Sequence, residues 1–315
     1  MFWSGELIAR TAPIRHRPTP ERSPLAERAV AAYVGLAIGD ALGATVEFMT
    51  PREIRAQYRM HVDITGGGWL RLKAGQVTDD TTMALALGDA ILAAGRVEAA
   101  AAAAAFDAWM RGKPVDIGNT VRRNLITYRK TGRPEAVPSE HDAGNGAAMR
   151  VLPVALACHG QPAAAVVAAS RAQAHVTHHN ELSDAACETL VFMVQDFLAG
   201  HDAARVERER VAPLVERFPV FAWDRTPREN PSGFVVDTLQ AVFQSFFATE
   251  SFEDCLIDVV NRGGDADTTG AIAGMLAGAR YGLTDMPRRW LRGVDELTRV
   301  RCEKQAEALI GLAGG

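Results

Sequence analysis

The sequence has few cysteines, no excess of basic charge and no long hydrophobic run. Its four cysteines, Cys158, Cys187, Cys255 and Cys302, form no CxxC pair, which argues against a zinc or redox site and favours a reducing compartment. The formal net charge of -4 gives no electrostatic basis for nucleic acid as the main partner. No apolar run reaches the roughly 18 residues that a membrane span needs. These absences predict a soluble, cytoplasmic protein.

The chain is long enough for one large domain. Residues 1–24 are rich in Arg and Pro and lack the apolar stretch of a signal peptide, so we expect a flexible N-terminal tail. Hydrophobic residues make up 48% and charged residues 23% of the sequence, the balance of an ordinary globular protein. No shift in composition divides the remainder, and we therefore expect a single domain over residues 25–315.

Helical periodicity dominates the sequence. Within residues 25–48, apolar side chains recur three and four positions apart, which is typical of one helix face. The one alternating segment, 62–72, contains Gly66-Gly67-Gly68 and is interpreted as a loop. The last helical segment is rich in charge, and we expect it to be peripheral. The pattern predicts an all-α fold, with further helices over 83–94, 97–109, 147–158, 162–174, 184–198, 235–247, 256–260 and 287–312.

Two of these helices carry glycines four residues apart. A glycine in a helix interior costs about 1 kcal/mol relative to alanine, so a row of three indicates that a neighbouring backbone packs very close. We expect a tightly packed centre around the two rows, Gly35, Gly39 and Gly43 in the first and Gly270, Gly274 and Gly278 in the second.

Two acidic segments stand directly before helices. Either one alone is typical of a helix N-cap. Together they place several carboxylates before helix N-termini. Clustered carboxylates repel one another unless a cation or a proton lies among them. Carboxylate and hydroxyl oxygens suit Mg²⁺ or Mn²⁺ rather than zinc, and the set exceeds what one ion requires. The sequence predicts a site for two divalent ions, with the ligand candidates Thr78, Asp79, Asp80, Asp265, Asp267 and Thr268.

Other polar positions admit two interpretations each. Glu47, two helical turns after Asp40, is either a further oxygen ligand near the ions or a solvated terminal carboxylate. Asp116 and Asn119 either cap a following helix or supply a catalytic acid and a substrate amide. His178 is either a surface or capping residue or part of a binding site.

A glycine-rich turn at Gly144-Asn145-Gly146 precedes a predicted helix at Ala147. Free backbone N–H groups at such a helix N-terminus bind phosphate, although Gly-Asn-Gly is also an ordinary turn. The residues alone leave the choice open.

Taken together, the chemistry-bearing stretches resemble the ADP-ribosylglycohydrolase family. They keep one order along the chain and extend over nearly all of it beyond the tail. The stretches are 35–48, 66–72, 77–88, 115–120, 143–150, 176–187 and 261–282.

This resemblance implies an all-helical domain with a central pair of Mn²⁺ or Mg²⁺ ions at the bottom of an ADP-ribose cleft. It assigns the six candidates above as metal ligands and Glu47 as an acid beside them. Asp116 and Asn119 would contact the ribose next to the scissile bond, with Asp116 as first candidate for the catalytic acid or base and Glu47 as second. The remaining implied substrate contacts are Glu140, Gly144, Asn145, Gly146, Ala147, Met149 and His178.

The resemblance is strongest to family members that remove ADP-ribose from an arginine of the nitrogenase iron protein. It therefore implies that modified protein as substrate and a monomeric enzyme. It also implies regulation by a PII-type signalling protein that can draw the enzyme to the membrane. Three alternatives stay open: another acceptor such as serine, an ADP-ribose-binding protein without activity, and a two-metal phosphohydrolase.

Overall fold

Helices form throughout residues 22–313, the part of the chain that this computed structural model describes. Within that range, strand pairing is limited to two isolated bridges, Gly67 with Leu72 and Gly144 with Phe234. The predicted all-α fold class is confirmed. The α-helices are α1 (Pro24–Gly43), α2 (Pro51–Tyr58), α3 (Asp79–Ala94), α4 (Ala99–Arg111), α5 (Asn119–Thr131), α6 (Leu152–Ala157), α7 (Ala163–Ala174), α8 (Glu181–Leu198), α9 (Ala203–Val206), α10 (Ala212–Arg217), α11 (Val235–Ala248), α12 (Phe252–Val260), α13 (Ala266–Tyr281), α14 (Arg288–Gly293) and α15 (Glu296–Ala313), with a π-helical turn at Glu207–Val211 and 3₁₀ turns at Pro219–Phe221 and Leu283–Asp285.

Helices α1 and α13 form the centre of the fold. Every residue of α1 over 29–43 is buried, the pattern of a helix enclosed on all sides. A Cβ atom added to Gly39 would lie 1.9 Å from the Gly270 carbonyl oxygen, and one added to Gly35 would lie 2.2 Å from that of Gly274. These pairings run in opposite directions, so the helices are antiparallel and the predicted close packing is confirmed. The end of α1 consequently lies beside the start of α13.

Replacing Gly39 with alanine tests this packing. We expect Gly39→Ala to lower the free energy of unfolding by about 3 kcal/mol or more, because the new methyl group overlaps a backbone oxygen that cannot move independently. Gly311→Ala in α15 is the matched control, since no atom lies within 4 Å of the position its Cβ would take. That change should be neutral or stabilising by up to about 1 kcal/mol. Urea unfolding would measure both, and equally small effects would contradict the close-packed centre.

One predicted helix, 147–158, is wrong in its first part. Residues 147–150 form turns, and α6 begins only at Leu152. Pro153 lies in the first turn of α6, where a backbone N–H has no partner within the helix, so proline loses no hydrogen bond there. The backbone N–H groups after Gly146 therefore belong to a turn and not to a helix N-terminus.

The predicted peripheral helix over 287–312 is also wrong. The helix is interrupted between α14 and α15, where the Asp295 N–H donates to the Gly75 carbonyl at 3.0 Å. Helix α15 buries Cys302, Ala306 and Leu309 completely and packs against α1, α3 and α6. Its charged residues lie on one face while the opposite face belongs to the core.

Several boundaries and elements differ from expectation. Helix α1 ends at Gly43 rather than near residue 48, and α12 begins at Phe252 rather than at residue 256. Helix α2 was not predicted, although Thr50 and Glu53 form a capping box at its start, which is a recognisable sequence signal. Helices α9 and α10, of four and six residues, are too short to show an apolar periodicity and were also missed.

Most of the predicted tail, 1–24, lies outside the described residues. Its last part is described: Arg22 contacts Glu307 of α15 at 2.5 Å, and Ser23 caps α1. Over residues 22–313, no helix combines the length and the apolar character needed to cross a membrane.

Candidate metal centre and substrate cleft

Asp40 of α1 fixes the start of α3. Its buried carboxylate accepts hydrogen bonds from the Thr78 N–H (2.9 Å), the Thr81 N–H (3.0 Å) and the Thr81 hydroxyl (2.5 Å). Burial raises the pKa of Asp40 to about 6, and these donors oppose the rise. Asp40 thus caps α3 from a distant helix, and the side chains of Asp79 and Asp80 are left free for other contacts.

The two predicted acidic segments meet in space. Carboxylate oxygens of Asp79, Asp80 and Asp267 lie within 4.8 Å of one another, and so do those of Glu47, Asp265 and Asp267. Asp267 belongs to both groups and joins them. The antiparallel packing of α1 on α13 brings the end of α1 beside the N-terminus of α13, and Asp40 of α1 holds the start of α3 at the same place.

The Thr78 and Thr268 hydroxyls also lie among these carboxylates. Thr78 Oγ1 is 3.1 Å from Asp80 Oδ2 and 3.4 Å from Asp267 Oδ2. Thr268 Oγ1 is 3.4 Å from Asp80 Oδ2. All six predicted ligand residues are therefore part of one oxygen-rich cluster.

The electrostatics of this cluster fit divalent cations. Burial, reinforced by neighbouring carboxylates, raises the pKa of Asp79 to about 7 and moves those of Asp80 and Asp267 well above the usual range. Asp80 Oδ1 is buried without a hydrogen-bond partner. A buried carboxylate oxygen without a hydrogen-bond partner is costly. Hard oxygen donors of this kind suit Mg²⁺ or Mn²⁺. The residues present therefore fit a metal site.

The raised pKa values predict how stability depends on pH. An unfolded carboxyl group has a pKa near 4, whereas burial raises the pKa of Asp79 to about 7 and that of Glu47 to about 8. The folded state keeps protons that the unfolded state releases, so the metal-free protein loses stability as the pH rises from about 4 to about 8. Metal binding reverses this loss, because a cation takes the place of the protons.

Thermal unfolding in EDTA and in Mn²⁺ would test this linkage. We expect the gain in melting temperature on adding Mn²⁺ to be larger at pH 8 than at pH 5. A gain that is equal at both values, or larger at pH 5, would contradict the linkage.

A cavity of about 290 Å³ opens onto the carboxylates. Thr78 and Asp80 lie buried beneath it, whereas most of the other predicted site residues form its wall. Ala147 is buried in the core and Glu140 lies exposed on the preceding loop, so neither lines the cavity in this structure. The predicted residues that line it are Glu47, Asp79, Asp116, Asn119, Gly144, Asn145, Gly146, Met149, His178, Asp265, Asp267 and Thr268.

Asn145 connects the glycine-rich turn to the acidic segment before α13. Its Nδ2 donates to Asp265 Oδ2 at 2.7 Å and to Thr238 Oγ1 at 3.0 Å. Its backbone N–H donates to the Gly233 carbonyl at 3.0 Å. The Asn145 amide therefore orients Asp265 and fixes the position of the turn beside the cavity.

His178 packs its ring against the two glycines of this turn. Cβ atoms on Gly144 and Gly146 would lie 3.0 Å and 2.8 Å from ring atoms of His178. Burial, with the nearby charges of Arg150 and Arg123, lowers the pKa of His178 to about 3. The imidazole is therefore neutral and supports the turn by packing.

Arg150 supports the same turn from behind and was missed as a site residue. It is completely buried, and its Nη2 donates to Thr177 Oγ1 at 2.8 Å and to the Gln173 carbonyl at 3.0 Å. Thr177 Oγ1 in turn lies 2.8 Å from His178 Nδ1. Burial lowers the pKa of Arg150 to about 9. An arginine inside an otherwise apolar run was the available sequence signal.

The two candidate acids differ in their surroundings. Asp116 is half-buried at the cavity, where Oδ1 accepts the Ile117 N–H at 2.7 Å, and burial raises its pKa. Glu47 is almost fully buried, and its Oε2 accepts the Trp69 indole N–H at 2.6 Å. Trp69 was not among the predicted site residues. Its contact with Glu47 depends on a loop that sequence reasoning cannot place.

Comparisons with known proteins agree with this architecture. A sequence model of the family described as ADP-ribosylglycohydrolase matches residues 21–315. The chain is 49% identical to the ADP-ribosyl-[dinitrogen reductase] glycohydrolase of Rhodospirillum rubrum, over 91% of this chain and 97% of that protein. It is 34% identical to the ADP-ribosylarginine hydrolase Tri1 of Serratia proteamaculans, over 89% of this chain and 78% of that protein. A solved structure titled "ADP-ribosylglycohydrolase-related protein complex" superposes with a TM-score of 0.81 at 34% identity, covering 92% of this chain and 99% of the other. The chain therefore belongs to the ADP-ribosylglycohydrolase family.

Proposed function

We propose that the protein hydrolyses the N-glycosidic bond between ADP-ribose and an arginine side chain of a modified protein. The observation that carries the proposal is the cavity whose floor is the shared carboxylate cluster and whose wall contains Asp116. The arginine acceptor is supported by the names of the relatives, which include an ADP-ribosyl-[dinitrogen reductase] glycohydrolase and ADP-ribosylarginine hydrolases. We propose ADP-ribosylated nitrogenase iron protein as the substrate.

Two Mn²⁺ or Mg²⁺ ions complete the proposed site. Two carboxylate groups that share Asp267 support this number, and the all-oxygen donor set supports the type of metal. Such ions, when bound, hold substrate hydroxyl groups and lower the pKa of a water molecule. The residues proposed to hold them are Thr78, Asp79, Asp80, Asp265, Asp267 and Thr268, with Glu47 beside them.

The remaining wall of the cavity is proposed to bind the substrate. Asn119 and Asp116 lie at one side, next to the start of α5, and would contact the ribose beside the scissile bond. The turn from Gly144 to Met149, supported by His178, would receive the pyrophosphate through its backbone N–H groups. Glu140 and Ala147 carry weaker support, since neither lines the cavity in this structure.

The proposed reaction requires one proton to leave the attacking water and one to reach the departing nitrogen. Breaking the bond leaves its electron pair on the guanidine nitrogen and builds positive charge at the anomeric carbon, as in other glycoside hydrolyses. Water then supplies the oxygen of the new C–O bond.

We assign the proton transfer to Asp116, which lies at the cavity wall and whose second carboxylate oxygen accepts no backbone hydrogen bond. Glu47 is the second candidate, because Trp69 already engages its Oε2.

Further proposals come from the family resemblance. We propose a cytoplasmic monomer that a PII-type signalling protein regulates by drawing it to the membrane. The support is the 49% identity to the glycohydrolase that acts on ADP-ribosyl-[dinitrogen reductase]. Co-purification with a PII-type protein would test the partner, and light scattering would test the oligomeric state.

The acceptor can be tested by comparing two linkages. We expect Mn²⁺-loaded protein to release ADP-ribose from an ADP-ribosyl-arginine peptide much faster than from an ADP-ribosyl-serine peptide. Preference for serine would replace the proposed acceptor. Binding of ADP-ribose without turnover of either peptide would indicate an inactive binding protein, and release of inorganic phosphate would indicate a phosphohydrolase.

A further inference from the structure

A second groove adjoins the metal cavity and has no role in the proposed reaction so far. Its volume is about 690 Å³, and it shares Glu47 and Phe48 with the cavity. Tyr58 and Trp69 supply further aromatic surface. A molecule bound across both spaces would pass Glu47 and Phe48, so the groove is placed to receive whatever is attached to the ADP-ribose.

Two aromatic side chains stand exposed at the boundary between the two spaces. Phe48 is 63% exposed and Trp69 is 51% exposed, and their ring centroids lie 5.3 Å apart. Neither ring is needed to fill the core. Exposed aromatic surface beside a polar cleft is typical of a binding site.

The backbone of Phe48 is held in an unfavourable conformation. Its φ angle of 62° lies in the left-handed region that bulky residues avoid. The Phe48 N–H donates to the Gly264 carbonyl at 2.7 Å, and the Gly264 N–H donates to the Met49 carbonyl at 2.9 Å. The segment before α13 therefore fixes the Phe48 backbone beside the acidic cluster, and strain of this kind concentrates at functional sites.

Trp69 is fixed by its loop rather than by burial. Gly67 and Leu72 exchange backbone hydrogen bonds of 2.8 Å and 2.9 Å. A Cβ on Gly68, whose φ is +66°, would lie 2.3 Å from the Ala44 carbonyl oxygen, so the loop lies directly on the end of α1. Together with the hydrogen bond from the indole to Glu47, these contacts present the Trp69 ring rigidly.

We propose that Phe48 and Trp69 form the acceptor subsite, in which the arginine side chain of the modified protein lies against both rings while ADP-ribose fills the metal cavity. This inference rests on the proposed function. A planar guanidinium stacks on aromatic faces and is attracted to them as a cation. The groove is lined by the acidic residues Glu47 and Glu53, and no lysine or arginine is among the residues that line it.

The groove also gives a physical reason for acceptor choice. A serine side chain has neither a planar face nor a positive charge, so it gains little from two aromatic rings beside carboxylates. An arginine gains from both features. The metal cavity, by contrast, contacts only the ADP-ribose half, which is common to all acceptors.

Leucine and phenylalanine substitutions separate the role of the rings from that of the indole N–H. We expect Phe48→Leu and Trp69→Leu each to raise KM for an ADP-ribosyl-arginine peptide by about 5- to 30-fold, the upper part of the range for a lost cation–π contact, because the bound substrate removes both rings from water. Trp69→Phe keeps a ring and should change KM by less than about 3-fold. Both Trp69 variants should bind free ADP-ribose as the unchanged protein does, measured by calorimetry, because Trp69 lines the groove and not the metal cavity. Leu297→Ala removes an apolar side chain on α15 that is even more exposed (76%) and is the control.

Three results would overturn the subsite. KM could stay unchanged in both leucine variants, or ADP-ribose affinity could fall in parallel with KM in Trp69→Leu. Trp69→Phe could also raise KM as much as Trp69→Leu, which would show that Trp69 acts through its N–H on Glu47. If the unchanged protein does not turn over the arginine linkage at all, the proposed function fails and the subsite fails with it. Turnover with unaffected KM removes the subsite alone.

Discussion

Asp267→Asn is expected to abolish tight metal binding and to slow hydrolysis of an ADP-ribosyl-arginine peptide by at least about 100-fold. Changes outside the direct ligands of a metal already cost roughly 10- to 100-fold, and Asp267 is the one carboxylate that belongs to both groups of the cluster. Metal content after gel filtration, measured by mass spectrometry, would show the loss of stoichiometry. Asp224→Asn, at an exposed aspartate that does not line the cavity, should change neither quantity.

The same substitution should not destabilise the metal-free protein. Burial and the charges of Glu47, Asp80 and Asp265 disfavour the ionised form of Asp267 and raise its pKa well above the usual range. Removing that charge relieves the repulsion, so in EDTA at pH 8 the variant should melt at or above the temperature of the unchanged protein. A full metal complement in Asp267→Asn, or a lower melting temperature in EDTA, would argue against its role as a shared ligand.

Asp116→Asn is expected to retain its metal ions and to lose about 100- to 10,000-fold in turnover, the usual contribution of a positioned acid or base. Asp116 lies at the cavity wall but outside both carboxylate groups. The substitution keeps the size of the side chain, and its oxygen can still accept the Ile117 N–H. Metal analysis and single-turnover rates on one preparation would separate this effect from that of Asp267→Asn.

Glu47→Gln is the matched comparison for the second candidate acid. A metal-loaded Asp116→Asn variant with the rate of the unchanged protein would remove Asp116 from the reaction. If Glu47→Gln were then slow while retaining its metal, the proton transfer would belong to Glu47.

Local chemistry made the acidic cluster predictable from the sequence. The segments around Asp79 and Asp267 carry more carboxylates than helix capping requires, and the glycine rows on α1 and α13 indicated a tightly packed centre. Both signals are short-range patterns whose meaning does not depend on knowing the whole fold.

Contacts between distant segments were not predictable. Asp40 binds the N-cap residue of α3, Thr78, which lies 38 residues later, Arg150 is held by Gln173 and Thr177, and Trp69 reaches Glu47 from a loop. Each contact is decided by tertiary packing, which overrides local preference. The buried face of α15 was also missed, because charged residues lie between its apolar residues along the sequence.

The prediction of the arginine acceptor had a different basis from the prediction of the metal site. From the sequence alone, the acceptor depends on family resemblance, since an ADP-ribose cleft is the same for every acceptor. The groove beside Phe48 and Trp69 supplies a physical reason for it, and the proposed subsite makes that reason testable.

The central claim is metal-dependent removal of ADP-ribose from arginine, and the most direct measurement follows ADP-ribosylated nitrogenase iron protein with EDTA-treated enzyme, before and after Mn²⁺ is added. We predict no reaction in EDTA, and with Mn²⁺ the appearance of unmodified protein and free ADP-ribose in equal amounts. Full activity in the metal-free preparation, or an iron protein that stays modified in the presence of Mn²⁺, would contradict the account.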